Sequence, residues 1–205
     1  MAETTPPPPP NPVDRREFFR RLVRNGIERA EQAARRIADS ASAHLSSGAD
    51  GPAARLRPPG SPSRQHLLDT CRQCAACVTA CPADAIRIDP QVAEGRPHIV
   101  ARAAPCVICD DLECMHACPS GALQPVAANQ IAMGRAEIDV ARCLRGHPDD
   151  EDCRLCADHC PIGTEALEIV DGKLAVRDGC TGCGVCESIC PTAPASIRVI
   201  ANEGL

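Results

Sequence analysis

Aromatic side chains are almost missing from this sequence: two Phe, no Tyr and no Trp in 205 residues. Chains of this size normally bury such groups in their cores, so apolar packing alone does not account for a fold here. Long hydrophobic runs are lacking too, and nothing approaches the roughly eighteen uninterrupted apolar residues of a membrane span. Positive charge is not in excess, with 22 Lys and Arg against 27 Asp and Glu, which leaves no electrostatic footprint for nucleic acid. There is no phosphate-cradling Gly loop, no dinucleotide fingerprint and no nucleophile set beside a base, so an enzyme with its own substrate site is not expected. Cysteine is absent until Cys71.

From there it dominates. The 16 cysteines fall into four groups of four with none left over: Cys71, Cys74, Cys77 and Cys81; Cys106, Cys109, Cys114 and Cys118; Cys143, Cys153, Cys156 and Cys160; Cys180, Cys183, Cys186 and Cys190. A proline closes each group, at Pro82, Pro119, Pro161 and Pro191. The first and fourth groups read C-x2-C-x2-C-x3-C-P, the spacing that wraps three thiolates around one [4Fe-4S] cube and sends the fourth to a neighbouring cube. The second group stretches one gap over Asp110–Glu113 and the third stretches its first gap over Leu144–Asp152, but both keep the closing C-x3-C-P.

A loop this short brings backbone N–H groups around the cluster, and glycines such as Gly182 and Gly184 suit a close approach. The closing proline withholds an N–H and fixes the direction of the outgoing chain. Disulfides would need an oxidising compartment and do not usually recur as triplets at this spacing. Structural zinc generally uses separated pairs of C-x2-C. Four [4Fe-4S] clusters are therefore the expected cofactors, and they would replace a conventional core. His147 and His159 are alternative ligands for the stretched third group, although a solvated or hydrogen-bonded imidazole is the ordinary expectation for each.

The expected fold class is α+β: tandem two-cluster ferredoxin-like units, rich in loops, preceded by an N-terminal helix and a disordered Pro-rich tail. Residues 1–13 contain the run Pro6–Pro10 and form the tail. Residues 14–46 place Phe19, Val23, Ile27, Ala30, Ala34, Ile37, Ala41 and Leu45 at helical spacing, with many arginines on the other faces. Residues 47–64 are rich in Gly, Pro and Ser and read as a linker. The first two-cluster unit then spans 65–128 and the second 129–205. Strand pairs are expected at 85–89 with 98–101, and at 166–170 with 174–177 around Asp171-Gly172. Residues 136–140 and 196–200 would be outer strands of the second unit, whereas 65–69 looks helical.

In a two-cluster unit the fourth cysteine of each group crosses over. The expected quartets are Cys71, Cys74, Cys77 with Cys118; Cys106, Cys109, Cys114 with Cys81; Cys143, Cys153, Cys156 with Cys190; and Cys180, Cys183, Cys186 with Cys160. A nested pairing, first group with fourth and second with third, is the alternative and leaves the ligand set unchanged.

From Arg55 to about Val199 the chain resembles the ferredoxin-type proteins of the MauM/NapG family. The likeness rests on RLRPPG at 55–60, PHIVARAAPCVIC at 97–109, CPSGAL at 118–123, the late start of the third group at Cys143-Leu144, and CTGCGVC at 180–186. It implies an electron-transfer protein with four [4Fe-4S] clusters, passing electrons between a membrane-bound, quinol-linked dehydrogenase and a redox enzyme. Family members similar to this chain begin with a twin-arginine export signal, and DRREFFR at 14–20 resembles that motif. Arg24, Glu28, Arg29, Glu31, Arg35 and Arg36 interrupt the apolar stretch such a signal needs. The segment therefore reads as a retained helix, and a cytoplasmic location is expected, with twin-arginine export to the periplasm as the alternative. Residues 14–45 are also a candidate contact for a partner subunit or an anionic membrane surface.

Two functions remain in view. One is a relay of single electrons between redox protein partners, without catalysis. The other is a cytoplasmic ferredoxin-type assembly factor for a molybdoenzyme. The acidic run Asp149–Asp152 beside a cluster is a candidate docking surface.

Overall fold

The computed structural model describes residues 55–145 and 152–203. The expected tail, the N-terminal helix, residues 47–54 of the linker, His147 and most of the acidic run lie outside the described residues.

The chain enters through β1 (Arg55–Leu56) and turns into α1 (Arg64–Thr70). Ser63 caps α1 by accepting from the His66 N–H at 3.0 Å, and Leu67 is the helix's buried residue. Arg96 closes the other end, donating to the carbonyls of Leu68 and Cys71 at 2.7 and 2.8 Å, where the helix leaves acceptors unpaired. Next come α2 (Ala76–Thr79), β2 (Ile86–Arg87), β3 (His98–Val100) and α3 (Glu113–His116). Then follow β4 (Gly134–Ile138), α4 (Leu155–Asp158), β5 (Leu167–Val170), β6 (Lys173–Val176), α5 (Val185–Ile189) and β7 (Ile197–Ala201).

The strands form three small antiparallel sheets, ordered β1-β3-β2, β4-β7 and β5-β6. Both expected pairings are present, β2 with β3 and β5 with β6 around Asp171-Gly172, and the two expected outer strands, β4 and β7, pair with each other. Along β4 and β7 burial alternates residue by residue, so Ala136, Ile197 and Val199 face inward while Glu137 and Arg198 sit opposite each other on the outer face. Helices and small sheets thus mix in an α+β, ferredoxin-like protein.

The linker reading needs correction at its end. Residues 55–59 are not a spacer: Leu56, Pro58 and Pro59 are fully buried, and Leu56 pairs with Ile99. This is the opening strand that the first half otherwise lacks. Arg57 is only 4% exposed and holds Glu203, near the far end of the chain, at 2.6 Å. The core around it is aliphatic, built of Leu56, Leu67, Ile99, Met115, Leu123, Ile197 and Val199, and it is contiguous with the buried cysteines Cys77, Cys114, Cys183, Cys186 and Cys190. No helix among the described residues is long and apolar enough to cross a membrane.

Candidate iron-sulfur centres

Each cysteine group is built the same way. Its third member lies in a one-turn helix: Cys77 in α2, Cys114 in α3, Cys156 in α4 and Cys186 in α5. Three of these helices are entered through a left-handed residue, Ala75 at φ 59°, Leu112 at φ 45° and Gly184 at φ 91°. That turn swings the chain sharply between the second and third cysteines, as it must if both are to face one point. Helix α2 packs on α3, and α4 on α5, which brings the groups together in twos.

Four open-sided hollows among the described residues result, each lined by a quartet of cysteines. The first is lined by Cys143, Cys153, Cys156 and Cys190, and the second by Cys71, Cys74, Cys77 and Cys118. The third is lined by Cys81, Cys106, Cys109 and Cys114, and the fourth by Cys160, Cys180, Cys183 and Cys186. Each therefore holds three cysteines of one group and the closing cysteine of the group next to it. His159 is in none of the four; its Nδ1 is 2.9 Å from the Leu155 carbonyl.

The donor set fits iron-sulfur cubes better than single ions. All sixteen cysteines are free thiols, and among the described residues no three His, Cys, Asp or Glu close around one ion as zinc requires. Wider quartets of sulfur lining a cavity suit a cube with an iron at each corner.

Electrostatics mark the same quartets. Burial, with the charges of Cys71, Cys118 and Cys74, pushes the Cys77 thiol up to about 11. Burial with Cys106, Cys109 and Cys81 takes Cys114 to about 12, and burial with Cys143 and Cys153 takes Cys156 to about 11. Cys106 rises to about 12 and Cys186 rises as well, again chiefly through burial. Such thiols cannot ionise together unless a positive metal centre compensates them, so loading must release protons.

Two closing cysteines behave in the opposite way. At Cys190 burial is outweighed by the hydroxyls of Ser196 and Thr192, which bring the thiol down to about 7. At Cys118 burial is outweighed by the Leu123 N–H and the Ser120 hydroxyl, among others. Sequence reasoning missed these hydroxyl partners, although the C-P-S and C-P-T triplets were there to be seen.

Between quartets the contacts are close. The Cys106 N–H donates to the Cys183 carbonyl at 3.0 Å, joining the third cavity to the fourth. Cys114 feels the charge of Cys77, and Cys186 that of Cys156. Gly182 and Gly184 line the fourth cavity and also let other parts of the chain approach closely: a Cβ on the first would strike the Gly134 backbone, and one on the second would strike Ala101.

Comparison with known proteins agrees with this chemistry. Residues 70–122 match the model of a 4Fe-4S dicluster domain and residues 177–193 that of a 4Fe-4S binding domain. The methylamine utilization ferredoxin-type protein MauM of Methylorubrum extorquens is 36% identical, over 90% of this chain and 89% of its own. MauM of Methylophilus methylotrophus is 34% identical over 93% and 88%, and the ferredoxin-type protein NapG of Escherichia coli is 34% identical over 71% and 70%. No solved structure matches. These ferredoxin-type relatives favour the electron relay over the assembly factor. The chain belongs to the MauM/NapG family of ferredoxin-type proteins and is an electron-transfer protein with four [4Fe-4S] clusters.

Proposed function

We propose that the four clusters form a single line whose order differs from the order of the cysteine groups in the chain. Cys71, Cys74, Cys77 and Cys118 hold one terminal cluster. Next come the cluster of Cys81, Cys106, Cys109 and Cys114, then that of Cys160, Cys180, Cys183 and Cys186. The cluster of Cys143, Cys153, Cys156 and Cys190 is the other terminus. The observation that carries this reading is the lining of the four cavities, each with three cysteines of one group and one of its neighbour. Charge interactions between Cys77 and Cys114, Cys106 and Cys183, and Cys156 and Cys186, with the hydrogen bond from the Cys106 N–H to the Cys183 carbonyl, support the order. The chain is then two tandem units, 65–128 and 129–205, with residues 55–59 completing the first.

In this role the protein binds no substrate of its own. Its cysteines fix the clusters, its aliphatic core and short helices keep water from the inner pair, and its two ends face redox partners. A quinol-linked dehydrogenase as donor and a redox enzyme as acceptor suit the family, and residues 14–45 are the segment for partner or membrane contact.

Cysteine replacement tests the pairing. Cys118→Ser and Cys74→Ser should alter the same cluster signal, and Cys81→Ser should alter the one changed by Cys109→Ser. If Cys118→Ser instead alters the signal changed by Cys109→Ser, the crossed pairing fails.

A further inference from the structure

Hydroxyl groups are distributed unevenly among the four quartets. Two residues beyond each closing cysteine stand Ala83, Ser120, Ile162 and Thr192. On the pairing proposed above, Cys118 and Cys190 serve the two terminal clusters and are followed by C-P-S and C-P-T. Cys81 and Cys160 serve the inner clusters and are followed by Ala and Ile at the same position. The two ends are unequal as well. The Ser120 Oγ lies 3.6 Å from Cys118 Sγ, whereas Cys190 Sγ has Thr192 Oγ1 at 3.2 Å and Ser196 Oγ at 3.3 Å.

A sulfur bound to iron carries no proton, so each of these hydroxyls must be the donor. The Ser196 N–H donates to Thr192 Oγ1 at 2.7 Å, which leaves the threonine hydroxyl proton free for the sulfur and polarises it. Ser196 is 4% exposed and Cys190 7%, so water does not screen the pair. Thr181, between the inner ligands Cys180 and Cys183, has a buried hydroxyl with no hydrogen-bond partner in range among the described residues. Taking up one electron adds negative charge to a cube and its thiolates. Donors aimed at a ligand sulfur stabilise that reduced form more than the oxidised one, so the potential rises.

We infer that Thr192 and Ser196 make the cluster of Cys143, Cys153, Cys156 and Cys190 the highest in potential of the four, and hence the end of the relay where electrons collect and leave. Ser120 gives the opposite terminus a smaller lift, and the inner clusters form a low-potential bridge. This inference rests on the crossed pairing.

The test is a redox titration of the full holoprotein, reduced stepwise with dithionite through mediators and followed by electron paramagnetic resonance. In the double variant Thr192→Val, Ser196→Ala the highest of the four one-electron waves should move down, with iron content unchanged. At fixed potential the reduced-to-oxidised ratio of that cluster should fall about tenfold, equivalent to ~59 mV. Restoring a hydroxyl with Thr192→Ser in the Ser196→Ala background should recover part of the shift, and Ser120→Ala should move a different wave by less. Four unmoved waves with iron intact would overturn the inference, as would movement of the lowest wave. If the double variant loses iron, Ser196→Ala alone supplies the same readout. Should the wave that moves be the one lost in Cys183→Ser rather than in Cys153→Ser, the pairing fails while the hydroxyl effect stands.

Discussion

Gly182 offers a test in which strain and steric clash can be separated. It has φ +71°, and an added Cβ would run into the N, C and O atoms of Gly134, which are backbone and cannot rotate away. The Met133 N–H donates to the Thr181 carbonyl at 3.0 Å beside it, so the loop carrying Cys180 and Cys183 is seated directly on the start of β4. Gly121 has nearly the same conformation, φ +74°, with nothing within 4 Å of an added Cβ. Alanine at Gly121 should therefore cost only the left-handed penalty of roughly 1–2 kcal/mol. Alanine at Gly182 adds overpacking of about 1–3 kcal/mol, for a total of roughly 2–5 kcal/mol. Urea-induced bleaching of the cluster absorbance in the holoprotein reads the difference. Gly182→Ala should bleach at clearly lower urea and lose iron on isolation, while Gly121→Ala should keep its full complement. Equal midpoints for the two variants would refute the argument that the fourth loop is wedged against β4.

Arg102 donates to the carbonyls of Glu187, Ser188, Cys190 and Thr192, at 2.6, 3.3, 2.8 and 3.4 Å, so Arg102→Ala should cost about 1.5–3 kcal/mol and speed the loss of the cluster nearest Cys190; iron release in chelator measures it. Stability of the metal-free chain should fall as pH rises. Cys77, Cys106, Cys114 and Cys156 are raised from 9.0 to about 11 or 12, so their stabilisation is complete below pH 9 and is lost toward those values. Cys190, lowered to about 7, acts in the opposite sense, its contribution present above pH 9 and lost as pH falls through 7; urea midpoints of the apoprotein at pH 8 and pH 10 test the net fall. Neutralising Asp149, Asp150, Glu151 and Asp152 should slow electron exchange with a redox partner and flatten its salt dependence; unchanged rates and slope would remove the acidic run from the docking surface.

Much of the site was legible because metal ligation dictates spacing. The C-P closures, the Asp171-Gly172 hairpin and the outer strands β4 and β7 all follow from local rules that tertiary context did not override. Strand β1 was not legible. Two residues are too few to show a period, and Arg55-Leu56 sits among Pro and Gly that ordinarily mark a linker, while its burial depends on pairing with distant β3. Gly182 and Gly184 line the fourth cavity, as their place in the loop implies, but their second role, against Gly134 of β4 and Ala101 of the first half, depends on tertiary packing that no local pattern shows. Hydroxyl contacts to Cys190 escaped for a related reason: Thr192 and Ser196 reach the sulfur only because the turn after Pro191 folds back on itself.

A chain that relays electrons through four [4Fe-4S] clusters must take up one electron at each of them. Anaerobic coulometric titration of the holoprotein, with iron and acid-labile sulfide determined on the same sample, tests this most directly. The expected result is uptake of four electrons per chain, with about sixteen iron and about sixteen sulfide atoms. A full complement of iron that accepts fewer than four electrons, or iron that settles near half that amount in chains with every cysteine intact, would contradict it.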